Sequence, residues 1–206
     1  MTAELLHGKE PLVSQRLCGV VTLALASLAL AASAPAAEEP AKAPEAKPEF
    51  VVGEMRVQRL PGRTYLYGER ETTIAKVGQA FAEVVPAIVK VAEEGRARIT
   101  GPLTSVCVGS TGEADTPFQI CIGFLVADDT KPVAGFKVKK LADFRCATVL
   151  FSGPAARTGE AYRKLFESLT AAGHVPTGET REYSLYWESP ESPNNVMLIQ
   201  AGIGEP

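Results

Sequence analysis

The chain has 206 residues and a formal net charge of −3, with charges of both signs spread along its length. Nucleic-acid-binding domains usually gather lysine and arginine on one face, and no such basic cluster stands out here, so we do not predict nucleic acid as a partner. The length allows one or two domains. The composition changes near residue 50, and about 155 residues remain after it, which is enough for one buried core.

Residues 1–37 are predicted to be a signal peptide. Lys9 and Arg16 precede an uncharged stretch, residues 17–37, whose apolar centre is residues 20–30. Small residues follow this centre, and Ala34-Pro35-Ala36 fits the cleavage pattern of a secretory signal best. An uncleaved membrane anchor is the alternative, because the run just reaches the ~20 apolar residues that a spanning helix needs.

Residues 38–49 (EEPAKAPEAKPE) are predicted to be a disordered linker, because Glu, Pro, Ala and Lys alone cannot form a core. The predicted folded domain is residues 50–206. The signal indicates a periplasmic or secreted protein. The alternative reading, with the anchor retained, is a membrane-anchored domain that faces outward.

The folded domain is predicted to contain an internal duplication, with one repeat at about 50–127 and the other at about 133–204. Residues 55–60 (MRVQRL) resemble residues 136–141 (FKVKKL), and each segment is followed by a second strand that ends at Gly68 or Gly153. Such alternating segments separated by short breaks indicate paired strands.

A helix is predicted after each of these strand pairs. Apolar residues recur at helical spacing over about 72–94 and again over about 158–172. Ala80-Phe81 and Ala161-Tyr162 hold the same place in the two copies. Pro86 is expected to kink or split the first helix, and Gly173 to end the second.

Two further strands close each copy, which gives the order β-β-α-β-β twice. We therefore predict an α+β fold, in which one antiparallel or mixed sheet carries two main helices on one face. The opposite face is expected to form a ligand groove along the pseudo-twofold axis that relates the repeats.

With these residues in hand, residues 50–204 resemble the GyrI-like (gyrase-inhibitor-like) small-molecule-binding family, which includes the effector-binding domains of AraC-type and multidrug-responsive regulators. The matching features are the strand ending at Tyr67-Gly68, the helix through Phe81 and Pro86, Gly101-Pro102, Phe151-Ser152-Gly153-Pro154, and Arg181-Glu182 followed by Tyr186-Trp187 and Pro190. The resemblance implies a pocket between the repeats for a bulky cationic or aromatic ligand, with Glu182 at the position of a central glutamate. Ser184 stands where the family usually has tyrosine.

Strand alternation predicts which neighbours share the face of Glu182. Ser184, Tyr186 and Glu188 fall on that face, while Leu185 and Trp187 fall on the other, which we expect to pack on the helices. A carboxylate among aromatic rings would attract a cation, and burial would raise its pKa. Alternatively, Glu182 is a solvated strand residue that pairs with Arg181 or Lys164.

The predicted ligand-binding residues are Glu182, Tyr186, Tyr67, Phe118 and Phe151, and no metal or cofactor is predicted because no His/Cys cluster has ligand spacing. Three cysteines follow the signal. Cys107 and Cys121 lie on consecutive strands and are candidates for a disulfide, with buried thiols as the alternative.

The sequence leaves several functions open. The first is an exported protein that captures a small molecule. The second is a hydrolase of reactive small molecules with Glu182 as acid or base. The third is haem binding, because the SOUL haem-binding proteins look similar in fold. The last is a structural or interaction protein whose groove is filled by its own side chains.

Overall fold

A computed structural model describes residues 49–133 and 135–205, so the predicted signal and almost all of the predicted linker lie outside the described residues. This part of the chain forms three strands, a helix, four strands, a second helix and two last strands. They are β1 (Val51–Val52), β2 (Arg56–Leu60), β3 (Thr64–Thr72), α1 (Val77–Glu93), β4 (Ile99–Val108), β5 (Phe118–Val126), β6 (Lys137–Lys140), β7 (Phe144–Ser152), α2 (Thr158–Ala171), β8 (Pro176–Tyr186) and β9 (Val196–Ile203).

The strands form one antiparallel sheet in the order β1-β7-β9-β8-β4-β5-β3-β6, and β2 also pairs with β7. The central β4–β8 ladder joins the two halves. One half contains β3, α1, β4 and β5, and the other contains β7, α2, β8 and β9. The predicted α+β fold is therefore confirmed, with two copies of one arrangement in a single sheet.

The first strand of each repeat pairs with the other repeat. β2 pairs with β7, and β6 pairs with β3, so the repeats exchange their leading strands. The two connections pass each other closely at Gly62, whose N–H donates to Asp143 Oδ1 at 2.8 Å. A Cβ at Gly62 would overlap the carbonyl oxygen of Leu141, which explains the glycine.

The strand registers correct the predicted alignment of the repeats at the second strand. Gly68 pairs with Ile122 and Val149 pairs with Ile199, so Gly68 corresponds to Val149 and not to Gly153. The two glycines meet different needs. A Cβ at Gly68 would lie 3.1 Å from Val84 of α1, whereas Gly153 has a φ of 152°.

Both helices lie on one face of the sheet, as predicted. α1 buries Ala80, Val84, Ile88 and Val91, and α2 buries Ala161, Leu165 and Leu169. α1 is one continuous helix, so Pro86 does not split it. Pro86 lies at an exposed position of that helix. Gly173 follows α2 with a φ of 72°, as expected of a helix-ending glycine. Within the described ranges, neither helix is long and apolar enough to span a membrane.

Candidate functional site

The two central strands, β4 and β8, form the floor of a groove between the helices. α1 packs over β3 and β5, while α2 packs over β7 and β9. Glu182 of β8 pairs with Ile199, which lies in the core under α2, so the side chain of Glu182 points to the helix side of the sheet. Ser105 of β4 pairs with Glu182 and points the same way.

We call this space the central groove. Its floor consists of Leu103, Ser105 and Cys107 from β4 and of Thr180, Glu182 and Ser184 from β8. On one side of this space, Phe81 and Val85 of α1 pack, like Leu103 and Cys107, against the core beneath α1. On the other side, the rings of Tyr162 and Phe166 of α2 stack on each other.

Glu182 is the partly buried acid of the central groove. Its carboxylate accepts a hydrogen bond of 2.7 Å from the Tyr162 hydroxyl and a longer one of 3.5 Å from Ser105 Oγ. Burial raises the pKa of Glu182, and these two hydrogen bonds oppose the rise because they favour the charged form. The alternative that Glu182 is a solvated residue paired with Arg181 or Lys164 is wrong. Arg181 lies on the other face and binds Glu179, and the Lys164 ammonium donates to the carbonyl oxygen of Val52.

Two neighbours of Glu182 are held in their neutral forms. Burial, and then the charge of Glu182, raises the pKa of Tyr162 well above the ordinary value for tyrosine. The same two causes raise the pKa of the Cys107 thiol to about 12. The groove therefore offers one carboxylate, a phenol that donates to it, and a thiol that does not ionise near neutral pH.

The two halves of the groove differ in polarity although they occupy equivalent places. Phe81 is the counterpart of Tyr162 and carries no hydroxyl, and Ser105 is the counterpart of Glu182 and carries no charge. The α2 side can therefore bind a charged group, while the α1 side presents an apolar wall. This arrangement suits a ligand that is itself part charged and part apolar.

Tyr186 does not lie beside Glu182. A bulge in β8 separates the Ser184–Met197 pair from the Tyr186–Val196 pair, which ends the simple alternation on which the prediction depended. The Tyr186 side chain is exposed, and its hydroxyl donates to Glu188 Oε1 at 2.8 Å.

The other three predicted aromatic residues also lie away from the walls of the central groove. Tyr67 is on the opposite face of the sheet, where its ring stacks on Tyr65 at 5.1 Å and Lys139 lies 4.5 Å from its centre. Phe118 and Phe151 are on the helix side, but they are buried in the cores beneath α1 and α2 respectively.

The predicted choice of face for β8 is wrong. Glu182 faces the helices, so the groove lies between the helices and not on the opposite face of the sheet as predicted. Leu185 and Trp187 are exposed instead of packing on the helices. Tyr162 was the main omission from the predicted site. Its place opposite Phe81 in the repeat was visible in the sequence, but helix spacing alone assigned it to the core.

The ladder also decides the possible pairing of Cys107 with Cys121. Cys107 pairs with Ile120 and faces the central groove, whereas Cys121 pairs with Val106 and faces the other side of the sheet. Cys107, Cys121 and Cys146 are free thiols.

A separate cleft of about 250 Å³ lies where the end of β3 meets the start of α1. Side chains of both charges line it, including Arg70, Glu71, Lys76 and Glu83. In the described residues, no group of three His, Cys, Asp or Glu side chains is arranged to hold a metal ion.

Comparison with known proteins identifies the fold. No protein-family model matches the chain, and no curated protein sequence does. The crystal structure of the EcmrR C-terminal domain superposes with a TM-score of 0.61 at 16% identity, over 74% of this chain and 98% of that one. The chain has the fold of the EcmrR C-terminal domain. The fold expected from the GyrI-like resemblance is thereby confirmed.

Two further structures share the fold. EcmrR in its complex with DNA matches with a TM-score of 0.63 at 13% identity, over 77% of this chain but only 59% of that one. A conserved protein from Listeria innocua matches with a TM-score of 0.52 at 10% identity, over 72% of this chain and 92% of that one.

Proposed function

We propose that this protein binds a bulky, apolar cation in the central groove, with Glu182 as the charged contact. The observation that carries the proposal is the partly buried Glu182 carboxylate, which has a raised pKa and two hydroxyl donors but no basic side chain as its hydrogen-bond partner among the described residues. The fold, shared with the EcmrR C-terminal domain, supports the proposal.

A cation in the groove would gain from both the charge and the walls. Glu182 has no positively charged partner, and the cation would be one. Contacts of the cation with the rings of Phe81, Tyr162 and Phe166 would each add about 0.5–2 kcal/mol to the binding free energy. Because the cation binds the ionised form of Glu182, binding strengthens as the pH rises through the pKa of that group. The bound cation in turn lowers this pKa, so binding releases protons.

Calorimetric titration with ethidium and with phenanthridine, its uncharged ring system, tests this function. We expect ethidium to bind more tightly than phenanthridine. Glu182→Gln should remove most of that difference, whereas Glu167→Gln, which removes the same charge from an exposed position on α2, should leave it unchanged. Equal binding of the two compounds by the unaltered chain would contradict the proposal.

A hydrolase is the second candidate, because a glutamate with a raised pKa beside a phenol also suits general acid–base catalysis. The same variant separates the two functions. In a hydrolase, Glu182→Gln would abolish turnover and spare binding of the substrate. In a binding protein, it would weaken capture of the cation, and there would be no turnover to lose.

We also propose that the protein is exported, and this rests on the sequence of residues 1–37 alone. The intact mass of the protein recovered from an exporting bacterial host tests it. Recovery outside the cytoplasm supports export, and the mass shows whether the segment has been removed. Recovery from the cytoplasm alone would contradict it.

A further inference from the structure

The sheet closes on itself. Leu60 of β2 pairs with Phe144 of β7, and Thr64 of β3 pairs with Lys140 of β6 in the same register, so the two ladders form one ladder that is interrupted where the connections cross. From β7 the sheet continues through β9, β8, β4 and β5 back to β3, which completes a ring of strands. The helices lie outside this ring, and the opposite face of the sheet is its interior.

Two polar side chains are neighbours in this interior. Gln200 of β9 pairs with Arg181 of β8 on one side and with Thr148 of β7 on the other. Gln200 points inward, because Ile199 and Ala201 on either side of it belong to the core under α2. Gln200 is fully buried and Arg181 is only 4% exposed. Burial this deep is costly for polar groups unless they find partners.

The side-chain amide of Gln200 has no partner among the described residues. Its Nε2 and its Oε1 are both buried, and neither forms a hydrogen bond there. Most buried polar atoms in native proteins are hydrogen-bonded, so an amide with two unsatisfied atoms points to a bound group. Such a group must accept a hydrogen bond from Nε2 and donate one to Oε1.

The guanidinium group of Arg181 is satisfied only in part. Its Nε donates to Glu179 Oε1 at 2.7 Å, whereas its two terminal nitrogens donate to no acceptor within residues 49–133 and 135–205. The Phe144 ring covers one side of the guanidinium, with 3.8 Å between the ring centre and the guanidinium carbon. Glu179 is 31% exposed, so water screens its charge more than that of Arg181. Terminal nitrogens held in one plane match two oxygens of an oxyanion.

We propose that Arg181 and Gln200 bind a small planar oxyanion that carries a hydroxyl group. Two oxygens of the anion accept hydrogen bonds from the terminal nitrogens of Arg181, and one of them also accepts from Gln200 Nε2. The hydroxyl of the anion donates to Gln200 Oε1. Tyr65 and Cys146 also point into the ring and are fully buried, which limits the ligand to a few atoms. Hydrogencarbonate is the simplest anion with these properties.

This site is separate from the central groove. Arg181 and Glu182 are consecutive residues of β8, so their side chains point to opposite faces of the sheet. The chain thus has a basic group inside the ring and an acidic group in the groove outside it. Binding of an anion at Arg181 does not depend on binding of a cation at Glu182.

Thermal unfolding of the full chain at pH 8 tests the proposal, with hydrogencarbonate, nitrate and chloride compared at equal ionic strength. Nitrate is the matched probe, because it is planar and has the same charge but no hydroxyl. At about a hundred times its dissociation constant, hydrogencarbonate should raise the unfolding temperature by roughly 5–10 °C. Nitrate should need about tenfold more for the same shift, because it cannot donate to Gln200.

Variants assign these effects to the two side chains. Gln200→Leu should fold, because an apolar side chain replaces an unsatisfied amide, and it should lose the preference for hydrogencarbonate over nitrate. Gln119→Leu makes the same change at an exposed position on the same face of β5 and should keep the preference. Arg181→Lys retains the charge without the planar pair of nitrogens, so it should bind both anions about tenfold more weakly.

Three results would overturn the proposal. If neither hydrogencarbonate nor nitrate changed the unfolding temperature, water alone would satisfy Gln200. If chloride stabilised the chain as much as hydrogencarbonate does, the effect would be a general one of salt. If Gln200→Leu still preferred hydrogencarbonate, the anion would bind elsewhere. None of these results bears on ethidium binding at Glu182, which is measured separately.

Discussion

Ser105 and Glu182 are partners in the β4–β8 ladder and also hold equivalent positions in the two repeats. The pseudo-twofold axis therefore passes between them. A side chain at either position lies at the centre of the groove, and the chain has placed its carboxylate at one of the two. The two repeats therefore differ in charge at the one pair of positions that lies next to the axis relating them.

Glu182 should lower the stability of the empty protein at neutral pH. Because its pKa in the folded chain is raised above the ordinary value of 4.5, the folded chain binds more protons than the unfolded chain between these two pKa values. The contribution of Glu182 to stability therefore falls as the pH rises through that interval. We expect Glu182→Gln to raise the free energy of unfolding at pH 7, because the variant has no charge to desolvate.

Urea unfolding at several pH values checks this expectation. The advantage of Glu182→Gln should shrink as the pH falls and should vanish below the ordinary pKa of glutamate. If the difference in free energy of unfolding between the variant and the unaltered chain were the same at every pH, burial would not disfavour the charged form of Glu182. The environment assigned to Glu182 would then be wrong.

Tyr162→Phe should move the pH dependence of cation binding. The Tyr162 hydroxyl donates to the Glu182 carboxylate and favours its charged form, so loss of the hydroxyl should raise the pKa of Glu182. We expect the midpoint of ethidium binding against pH to shift upward. Tyr186→Phe is the control, because that hydroxyl donates to Glu188, and it should leave the midpoint in place.

The three cysteines of the described domain should remain thiols after air oxidation. Cys107 and Cys121 face opposite sides of the sheet, so they cannot be joined without disrupting the β4–β5 ladder. With a pKa of about 12, Cys107 has a thiolate fraction roughly a thousandfold below that of an ordinary thiol. Mass spectrometry after alkylation of native protein at pH 8 should show Cys107 unmodified, and a linked Cys107–Cys121 peptide would contradict the ladder.

Alanine substitutions at two glycines should change stability in opposite directions, because one glycine is closely packed and the other has open space around it. A Cβ at Gly123 would overlap the carbonyl oxygen of Leu66, so Gly123→Ala should cost about 3 kcal/mol of stability. Gly78 lies in α1 with nothing within 4 Å of its added Cβ, and Gly78→Ala should stabilise by roughly 0.5–1 kcal/mol. Thermal unfolding measures both, and equal effects would contradict the packing of β3 on β5.

The sequence predicted what depends on local pattern. The order of elements, the equivalence of Ala80 and Ala161, and the placement of both helices on one face all follow from periodicity. The exchange of β2 and β6 between repeats depends on pairing across the whole domain, and no local pattern encodes it.

The site was predictable in part for the same reason. Alternation correctly separated Glu182 from Leu185, but it gave no way to know which side carried the helices. Leu185 and Trp187 suggested a packed face, whereas they form an exposed surface at the strand end. The bulge after Ser184 then removed Tyr186 from the face of Glu182, and a bulge of this kind leaves no mark in an alternating sequence.

The pseudo-symmetry predicts that the charge of the groove can be moved across the axis. Glu182→Ser should lower ethidium affinity about tenfold or more, because it removes the charged contact from the floor. Adding Ser105→Glu places a carboxylate at the equivalent position one strand away. We expect this pair of changes to restore part of the lost affinity, since the cation remains at the centre of the groove.

Full recovery should also need a hydroxyl on α1. In the relocated site the counterpart of Tyr162 is Phe81, which cannot donate to the new carboxylate. The further change Phe81→Tyr should therefore strengthen binding beyond the double variant, while Phe81→Tyr alone should not. Calorimetric titration of the four variants and the unaltered chain measures each step, and their thermal unfolding shows that each is folded. If the double variant bound no better than Glu182→Ser, the ligand would not lie on the axis, and the groove would have to be assigned to one repeat.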